Sequence, residues 1–229
     1  MPQAGISVII PTFNRCDYIT ESLESAFRQT HVPFEVIVVD DGSTDDTAKR
    51  IERFARQITY LYQENRGVGA ARNAGVAHST GEFVAFLDSD DVWLPHKLAL
   101  QMQTFQATPE LEAIYGHAEQ FVSPELDARS AARLRLMAGR IQAAPLPCAL
   151  LIRRSSLLRV GPFDESLRMG VEIDWYSRMQ DCGVRMAMLG DVLYRRRLHR
   201  SNLNLTHADE RVERLRALKT VLDRRRRII

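Results

Sequence analysis

The sequence lacks any long apolar run. The longest apolar stretches, such as residues 6–10 and 148–152, fall far short of the ~20 residues that cross a bilayer, so no transmembrane helix is predicted. The N-terminus has no basic segment followed by an apolar stretch and a small-residue cleavage site, which argues against a secretory signal. We therefore expect a cytoplasmic protein.

Cysteine is scarce as well. Only Cys16, Cys148 and Cys182 occur, an odd number at unrelated spacings. No pair or group of them has the spacing of a zinc site. We therefore predict three reduced thiols in the core, and neither a disulfide framework nor a zinc centre.

The formal net charge of +2 is small, but it is unevenly distributed. Residues 195–229 hold twelve Lys and Arg against four Asp and Glu, a surplus of +8 that leaves −6 on the remainder. A basic segment of this kind is either a solvated helix or a contact for phosphates, an anionic membrane surface or nucleic acid. We expect a basic, solvated C-terminal helix over residues 203–229, with peripheral contact to the inner face of a membrane as the alternative, and no nucleic-acid partner.

With 45% hydrophobic and 26% charged residues, the 229-residue chain is typical of one globular domain with a sizeable core. From residue 6 to about 122, strand-like runs alternate with segments of helical spacing. Parallel neighbouring strands need crossover connections, so this alternation predicts an α/β fold, a Rossmann-like and mostly parallel sheet with helices on both faces.

Residues that are common at helix starts suggest where several helices begin. Asn14 is a candidate helix cap, Ser43 and Asp46 have capping-box spacing, and Pro95 suits a first helical position. Predicted strands are 6–10, 34–39, 59–62, 83–87 and 114–122. Beyond them we expect an irregular excursion over 123–146, a strand from Ala149 onward, helices at 155–160 and 172–182, two short strands within 186–197, and a helix from 208.

Polar clusters follow three predicted strands, at the sheet edge where such folds bind ligands. Asp88 and Asp90 belong to the motif DSDD, which comes directly after an apolar strand. Carboxylate oxygens of this kind suit Mg²⁺ or Mn²⁺, although an Asp-rich turn that caps the next helix explains the motif equally simply. Asp40, in DDGS, can hydrogen-bond a base or ribose, or it can cap a turn.

The motif GVGAAR at positions 67–72 follows a strand and opens a helix, as a dinucleotide-binding fingerprint does. Arg72 occupies the third glycine position, however, and the motif is not in the first strand-to-helix turn. A nicotinamide-dependent dehydrogenase is therefore excluded.

Taken together and in order, the motifs resemble the family 2 glycosyltransferases of the GT-A fold. The resemblance extends from Ser7 to about Asn202. It rests on SVIIPTFNR at 7–15, VVDDGSTD at 38–45, NRG at 65–67 with ARNAG at 71–75, and FLDSDD at 86–91. It implies one glycosyltransferase domain over 1–229, with a nucleotide-sugar-binding half at 6–122, an acceptor and catalytic half at 123–202, and the basic helix at 203–229.

The resemblance also implies site residues. The nucleotide-sugar donor would be bound by six positions: Pro11, Thr12, Asn14, Asp40, Arg72 and Asp88. Among these, Asp40 would read the base. Asp90 would ligate Mn²⁺ or Mg²⁺, which holds the diphosphate, and His199 lies in a segment similar to the closing strand of the family and could approach that metal.

The segments GPFDESL at 161–167 and GVEIDW at 170–175 resemble the stretch that leads to the catalytic carboxylate of the family. The family usually has Glu-Asp where this chain has Val171 and Glu172. In that register Glu172 replaces the aspartate as general base. Asp174 is the competing candidate, about 200° from Glu172 around a helix and more suited to a structural role.

The resemblance implies an inverting transfer from a nucleotide-diphospho-sugar, with uridine as the expected base, to a carbohydrate, lipid-linked or protein acceptor in cell-surface polysaccharide or glycoconjugate synthesis. One alternative is a nucleotidyltransferase, although residues 11–15 lack the glycine-rich loop of such enzymes. A second alternative is an inactive nucleotide-sugar-binding protein, because the base motif is altered.

Overall fold

The computed structural model describes residues 5–127 and 138–199, with the single residues Leu134, Lys219 and Val221. The described strands are β1 Ile6–Thr12, β2 Glu35–Asp40, β3 Thr59–Tyr62, β4 Phe83–Phe86, β5 Val92–Trp93, β6 Ala113–Val122, β7 Ile141–Ala144, β8 Leu151–Arg153 and β9 Met186–Leu198. All nine form one sheet in the order β3-β2-β1-β4-β8-β6-β9-β5, and β7 pairs with β6.

Most of the sheet is parallel, as the strand and helix alternation predicts. Strands β3, β2, β1 and β4 run parallel, and β6 and β9 are parallel to each other. The short strand β8 lies between β4 and β6 and is antiparallel to both, while β5 pairs antiparallel with β9. The predicted fold class is confirmed. The division at residues 122 and 202 stays a prediction.

Six α-helices lie between the strands of the described chain: α1 Ile19–Phe27, α2 Thr47–Glu52, α3 Val68–His78, α4 Lys97–Ala107, α5 Arg154–Val160 and α6 Val171–Asp181. A short 3₁₀ helix, Pro147–Ala149, precedes β8. Their starts differ from the predicted caps. Helix α1 has Tyr18 at its N-cap position, α2 has Asp46 without a side-chain cap, and α4 starts after Pro95.

The predicted cap residues Asn14 and Ser43 have another use. The Asn14 side-chain oxygen accepts hydrogen bonds from the backbone amides of Thr44 and Asp45. The backbone amide of Asn14 donates to Ser43 Oγ. Asn14 adopts a left-handed φ of 51°, which Asn tolerates better than most residues. The two residues therefore tie the end of β1 to the loop after β2 instead of capping helices.

Two further differences concern the later half of the chain. Residues 186–198 form one strand where two short ones were predicted, because β9 stays paired with β6 through register shifts near His117. Within the predicted excursion, Ile141–Ala144 forms β7 and pairs with β6. The predicted C-terminal basic helix lies outside the described residues, except for Lys219 and Val221, which are both helical.

The core lies between the sheet and its helices. Every residue of β1 and β4 is buried. Helix α3 packs closely on β1, because a Cβ added at Gly75 would lie 2.4 Å from Ile9 Cγ2. Cys148 is in this core, whereas Cys16 is half-buried and Cys182 exposed, so the prediction of three core thiols is wrong for two of them. None of the described helices combines the length and apolar character needed to cross a membrane.

Glu112 connects three elements of the later half of the sheet, and it gives folding a pH dependence. Its carboxylate, next to the start of β6, accepts hydrogen bonds from Ser156 Oγ, from the Arg159 guanidinium and from the Arg185 amide. Burial alone would raise the pKa of Glu112, but these hydrogen bonds outweigh burial and lower the pKa to about 2. Since the pKa is lower in the folded state, the unfolded chain takes up a proton first as pH falls from about 4.5 to about 2.

We therefore expect Glu112→Gln to lower the free energy of unfolding by roughly 2–3 kcal/mol at pH 7, with the difference from the parent shrinking below pH 4. Denaturant unfolding at pH 7 and pH 3 measures this difference. Glu52→Gln, at an exposed position of α2, is the matched control. An equal cost of Glu112→Gln at both pH values would contradict the assignment.

Candidate active site

The carboxyl ends of β1, β2 and β4 meet at a cavity of about 570 Å³. This is the edge at which open α/β sheets bind ligands. The lining comes from these strand ends, from the start of α3 and from the segment before α6. Its described members are Pro11, Thr12, Phe13, Arg15, Asp41, Asn65, Arg66, Gly67, Val68, Ala71, Arg72, Asp88, Ser89, Asp90, Glu165, Ser166, Leu167 and Arg168.

Two buried polar atoms in this wall have no hydrogen-bond partner among the residues that the structure describes. They are Thr12 Oγ1 and Arg72 Nε, on side chains of residues that are 3% and 5% exposed. A buried polar group without a partner is costly, and such groups are uncommon in folded proteins. Both residues line the cavity, but the two atoms themselves are closed to solvent, so a ligand bound there would reach them only if these side chains moved.

Asp88 and Asp90 face this cavity, and basic side chains hold both of them. The Arg72 guanidinium donates to Asp88 Oδ1 at 2.9 Å. Arg15 Nε donates to Asp90 Oδ2 at 3.1 Å, and His199 Nε2 lies 3.0 Å from the same oxygen. One carboxylate oxygen of each Asp, Oδ2 of Asp88 and Oδ1 of Asp90, makes no hydrogen bond with the described residues.

His199 is fully buried behind Asp90 and does not line the cavity. Its ring packs on Tyr18 at 4.7 Å between centroids. Burial alone would raise the pKa of Asp90, but the hydrogen bond to His199 and the charge of Arg15 outweigh it, so the pKa lies below its usual value. The structure therefore brings His199 to the predicted metal ligand, where it orients an ionised carboxylate.

Asp91, the last residue of the motif, is buried and accepts a hydrogen bond from the Arg197 amide. Burial and the neighbouring charges of Asp90 and Asp88 raise its pKa well above the ordinary value. Arg197 also donates through Nε to the Asp90 carbonyl oxygen and pairs with Glu21 of α1. Strand β9 thus holds the turn of residues 88–91, which we call the acidic turn, through hydrogen bonds from Arg197.

Asp40 and Asp41 have different surroundings. Asp40, predicted to read the base, accepts hydrogen bonds from the Tyr60 hydroxyl and the Ser43 amide and is not among the cavity residues. Asp41 lines the cavity, where its carboxylate accepts the amides of Arg66 and Gly67. Of these two acids Asp41 is the one that borders the cavity, although its carboxylate is buried and also accepts a hydrogen bond from Gln63 Nε2.

Among the other predicted donor contacts, Pro11 lines the cavity and Asn14 does not. Asn14 is occupied by the loop after β2, so its role in this site is to hold that loop. Phe13, between them, lines the cavity and is 41% exposed. An exposed aromatic ring in a nucleotide-sized cavity offers a face on which a base can stack.

The two predicted catalytic carboxylates lie in the first turn of α6 and differ in their partners. Asp174 is buried and accepts a hydrogen bond from Arg178 Nε at 2.9 Å, which fits the structural role predicted for it. Glu172 is half-buried, and its carboxylate has no hydrogen bond or ion pair with the described residues. Neither residue lines the cavity, but α6 starts three residues after Arg168, which does.

Trp175 of α6 is a core residue. It is 1% exposed, stacks on Phe163 at 4.8 Å and donates its indole N–H to the Gly161 carbonyl. The face of α6 that bears Trp175 and Asp174 is thus turned inward, and Glu172 is the more accessible acid of the first turn.

The acidic residues of the cavity fit a divalent metal. Asp88 and Asp90 line the same cavity, each with one carboxylate oxygen left over, and Mg²⁺ and Mn²⁺ bind through one or two carboxylates together with substrate phosphates. Each carboxylate also has a cationic neighbour, because Arg15 pairs with Asp90 and Arg72 with Asp88. These arginines can contact a phosphate that binds beside the metal. The donor set is therefore suited to a metal that arrives with a phosphate ligand.

Sequence reasoning missed several residues of this wall. Arg15 and Phe13 stand inside a quoted motif but received no role, and Asp41 was passed over for its neighbour. The segment 165–168 forms part of the wall without any motif that marks it as a ligand contact. Only its nearness in sequence to Glu172 could have indicated it.

Comparisons with known proteins agree with this architecture. The family model of "Glycosyl transferase family 2" matches residues 7–166. An uncharacterized glycosyltransferase of Nostoc sp. is 37% identical over 69% of this chain and 54% of its own length. The Escherichia coli UDP-Glc:alpha-D-GlcNAc-diphosphoundecaprenol beta-1,3-glucosyltransferase is 33% identical over 52% of this chain and 51% of its length. The chain thus spans about half the length of these relatives.

Two solved structures share the fold. Staphylococcus aureus TarS 1–349 in complex with UDP superposes with a TM-score of 0.68 at 22% identity, covering 96% of this chain and 71% of that one. A mannosyltransferase from Pyrobaculum calidifontis in complex with GDP-Man and Mn²⁺ gives a TM-score of 0.66 at 23% identity, covering 97% and 64%. At these identities the likeness establishes the fold alone.

Proposed function

The chain belongs to glycosyl transferase family 2, and from this premise we propose that it transfers a sugar from a uridine diphosphate donor to an acceptor hydroxyl with inversion at the anomeric carbon. The observation that carries the proposal is the pair of carboxylates, Asp88 and Asp90, each with one oxygen that makes no hydrogen bond with the described residues, in the wall of a cavity at the carboxyl edge of the sheet.

Charge supports a diphosphate donor. Four arginines and four acidic residues line the cavity, namely Arg15, Arg66, Arg72 and Arg168 with Asp41, Asp88, Asp90 and Glu165. The formal charges of these lining residues therefore cancel in the absence of a ligand. A nucleoside diphosphate sugar carries two negative charges and a divalent metal two positive ones, so the pair can enter together without upsetting this balance.

In the proposed reaction the Glu172 carboxylate takes the proton of the acceptor hydroxyl while its oxygen forms a bond to the anomeric carbon. The bond from that carbon to the diphosphate oxygen breaks at the same time, and the electron pair leaves with the nucleoside diphosphate. Asp88 and Asp90 would hold Mn²⁺ or Mg²⁺, which stabilises the charge of the departing diphosphate when bound. Arg72, beside Asp88, adds a fixed positive charge to the same wall.

The acceptor belongs, in this proposal, to cell-surface polysaccharide synthesis. The E. coli relative is named for an acceptor sugar on a diphosphate lipid, and a Bacillus subtilis relative, 40% identical over 43% of this chain, is named for teichuronic acid biosynthesis. We propose an acceptor of the same class, a sugar on a lipid diphosphate.

Thermal denaturation in the presence of nucleotides tests the donor class. A ligand at a hundred times its dissociation constant stabilises the folded state by about 2.7 kcal/mol, which raises Tm by about 5–10 °C in a chain of this size. We expect this rise with UDP or a UDP-sugar plus Mn²⁺. A larger rise with nucleoside triphosphates would favour a nucleotidyltransferase, and a rise with UDP-sugars without any turnover would favour a binding protein.

Paired variants of the acidic loop test how the base is read. We expect Asp41→Asn to weaken UDP binding by about 1–3 kcal/mol, because Asp41 is the acidic residue of this loop that lines the cavity. Asp40→Asn is the matched control, since its partners are Tyr60 and Ser43. Calorimetric titration of both variants with UDP measures the difference. If both variants fold and Asp40→Asn weakens UDP binding more than Asp41→Asn does, Asp40 is the residue that contacts the base.

A further inference from the structure

Arg15 pairs with Asp90 in the cavity wall, but this pairing uses only part of its guanidinium. Arg15 Nε lies 3.1 Å from Asp90 Oδ2, and Nη1 donates to the carbonyl oxygens of Phe13 and Asn14. The other terminal nitrogen, Nη2, makes no hydrogen bond with the residues that the structure describes. The side chain lines the cavity and is 26% exposed, so Arg15 has a donor to spare for an anionic ligand bound there.

Arg72, the other arginine beside the acidic turn, is held more tightly. It donates to Asp88 Oδ1 at 2.9 Å, and its side chain is only 6% exposed. Its guanidinium also lies 5.5 Å from the centre of the Phe163 ring. Of the two arginines that contact the acidic turn, Arg15 is therefore the one whose surroundings a ligand in the cavity changes more.

Both carboxylates of the proposed metal site already have a positive neighbour. Arg72 pairs with Asp88, and Asp90 Oδ2 is contacted by Arg15 and by His199. A divalent cation at the other oxygen of Asp90 would lie close to the Arg15 guanidinium, and like charges repel strongly where water screens them only in part. A phosphate beside Arg15 would offset this repulsion, because its negative charge attracts both the guanidinium and the metal.

Resting on the proposed metal-assisted transfer, we propose that Arg15 makes metal binding depend on the donor. In the absence of a nucleotide, its charge weakens the binding of a divalent cation at Asp90. When the donor is present, Arg15 contacts the diphosphate, and its charge no longer opposes the metal. The cation then binds chiefly together with the nucleotide. Arg15 is thus a binding residue, and no bond that is made or broken in the transfer involves it.

The test measures Mn²⁺ binding to the protein without UDP and with saturating UDP, from the electron paramagnetic resonance signal of free Mn²⁺. A protein-free titration corrects for the Mn²⁺ that UDP binds in solution. We expect UDP to tighten Mn²⁺ binding by the parent about a hundredfold. Without UDP, Arg15→Gln should bind Mn²⁺ about tenfold more tightly than the parent, because the repelling charge is gone. The effect of UDP on Mn²⁺ binding should then fall to about tenfold in this variant.

Arg15→Lys keeps the positive charge and should bind Mn²⁺ as weakly as the parent in the absence of UDP, which distinguishes charge from shape. Arg50→Gln, at an exposed position of α2, controls for the net charge of the chain and should behave like the parent. Unchanged or weaker Mn²⁺ binding by UDP-free Arg15→Gln would overturn the inference, and so would an undiminished UDP effect in that variant. A parent protein that binds neither UDP nor Mn²⁺ would instead contradict the proposed function itself.

Discussion

Glu172→Gln is expected to lower kcat by roughly 10²–10⁴ while leaving the affinity for the donor nearly unchanged. A general base acts in the transition state, and the amide keeps the size of the side chain but cannot take the acceptor proton. Glu172 suits this role because it is the first-turn acid of α6 that has no ion pair with the described residues. Steady-state kinetics, with UDP binding measured separately, distinguishes loss of turnover from loss of binding.

Asp174→Asn is the matched control on the same turn. Asp174 is buried and pairs with Arg178, so its replacement should lower the free energy of unfolding and leave kcat near the parent value in the folded fraction. Glu172→Asp keeps the carboxylate but shortens its reach, and it should retain part of the activity. Parent-level turnover in Glu172→Gln, or a larger fall in kcat for Asp174→Asn, would remove Glu172 from the mechanism.

The second large effect is expected at Asp90. Asp90→Asn keeps the shape of the side chain but removes the charge that a divalent metal requires, so it should lower Mn²⁺-stimulated transfer by roughly 10²-fold or more. Titration of Mn²⁺ into UDP-bound protein should show weaker metal binding in the variant. EDTA should reproduce the loss in the parent.

Asp46→Asn, at the exposed N-cap of α2, is the control and should transfer sugar at the parent rate. Full activity of the parent in EDTA would exclude a metal role for Asp90. In that case Arg15 and His199, which contact Asp90, would have to be explained as a purely structural ion cluster.

The sequence predicts the parallel part of the sheet well, because each strand and helix there is a local pattern. The antiparallel insertion of β8 between β4 and β6 was not predicted. Residues 151–153 form a strand only through partners about forty and seventy positions earlier in the chain. A three-residue apolar run has no period of its own, so only tertiary pairing decides its direction.

The site illustrates the same limit at the level of single side chains. The motif DDGS correctly indicated a polar loop at the binding edge, but two adjacent acids at the end of a strand point to different sides. Which of them meets a ligand depends on Tyr60, which holds Asp40, and on the amides of Arg66 and Gly67, which hold Asp41. None of these contacts is local in sequence.

The contacts of β9 with the acidic turn also bear on the biosynthesis of the protein. Arg197 and His199 are among the last residues described, and they hold Asp90 and Asp91 more than a hundred positions earlier. While the ribosome is still making the second half of the chain, the nascent chain already contains β1, β2 and β4, whose carboxyl ends meet at the cavity, but it lacks Arg197 and His199. The acidic turn is therefore completed late in translation, after residue 199 has left the exit tunnel, and donor binding of full strength should begin only then.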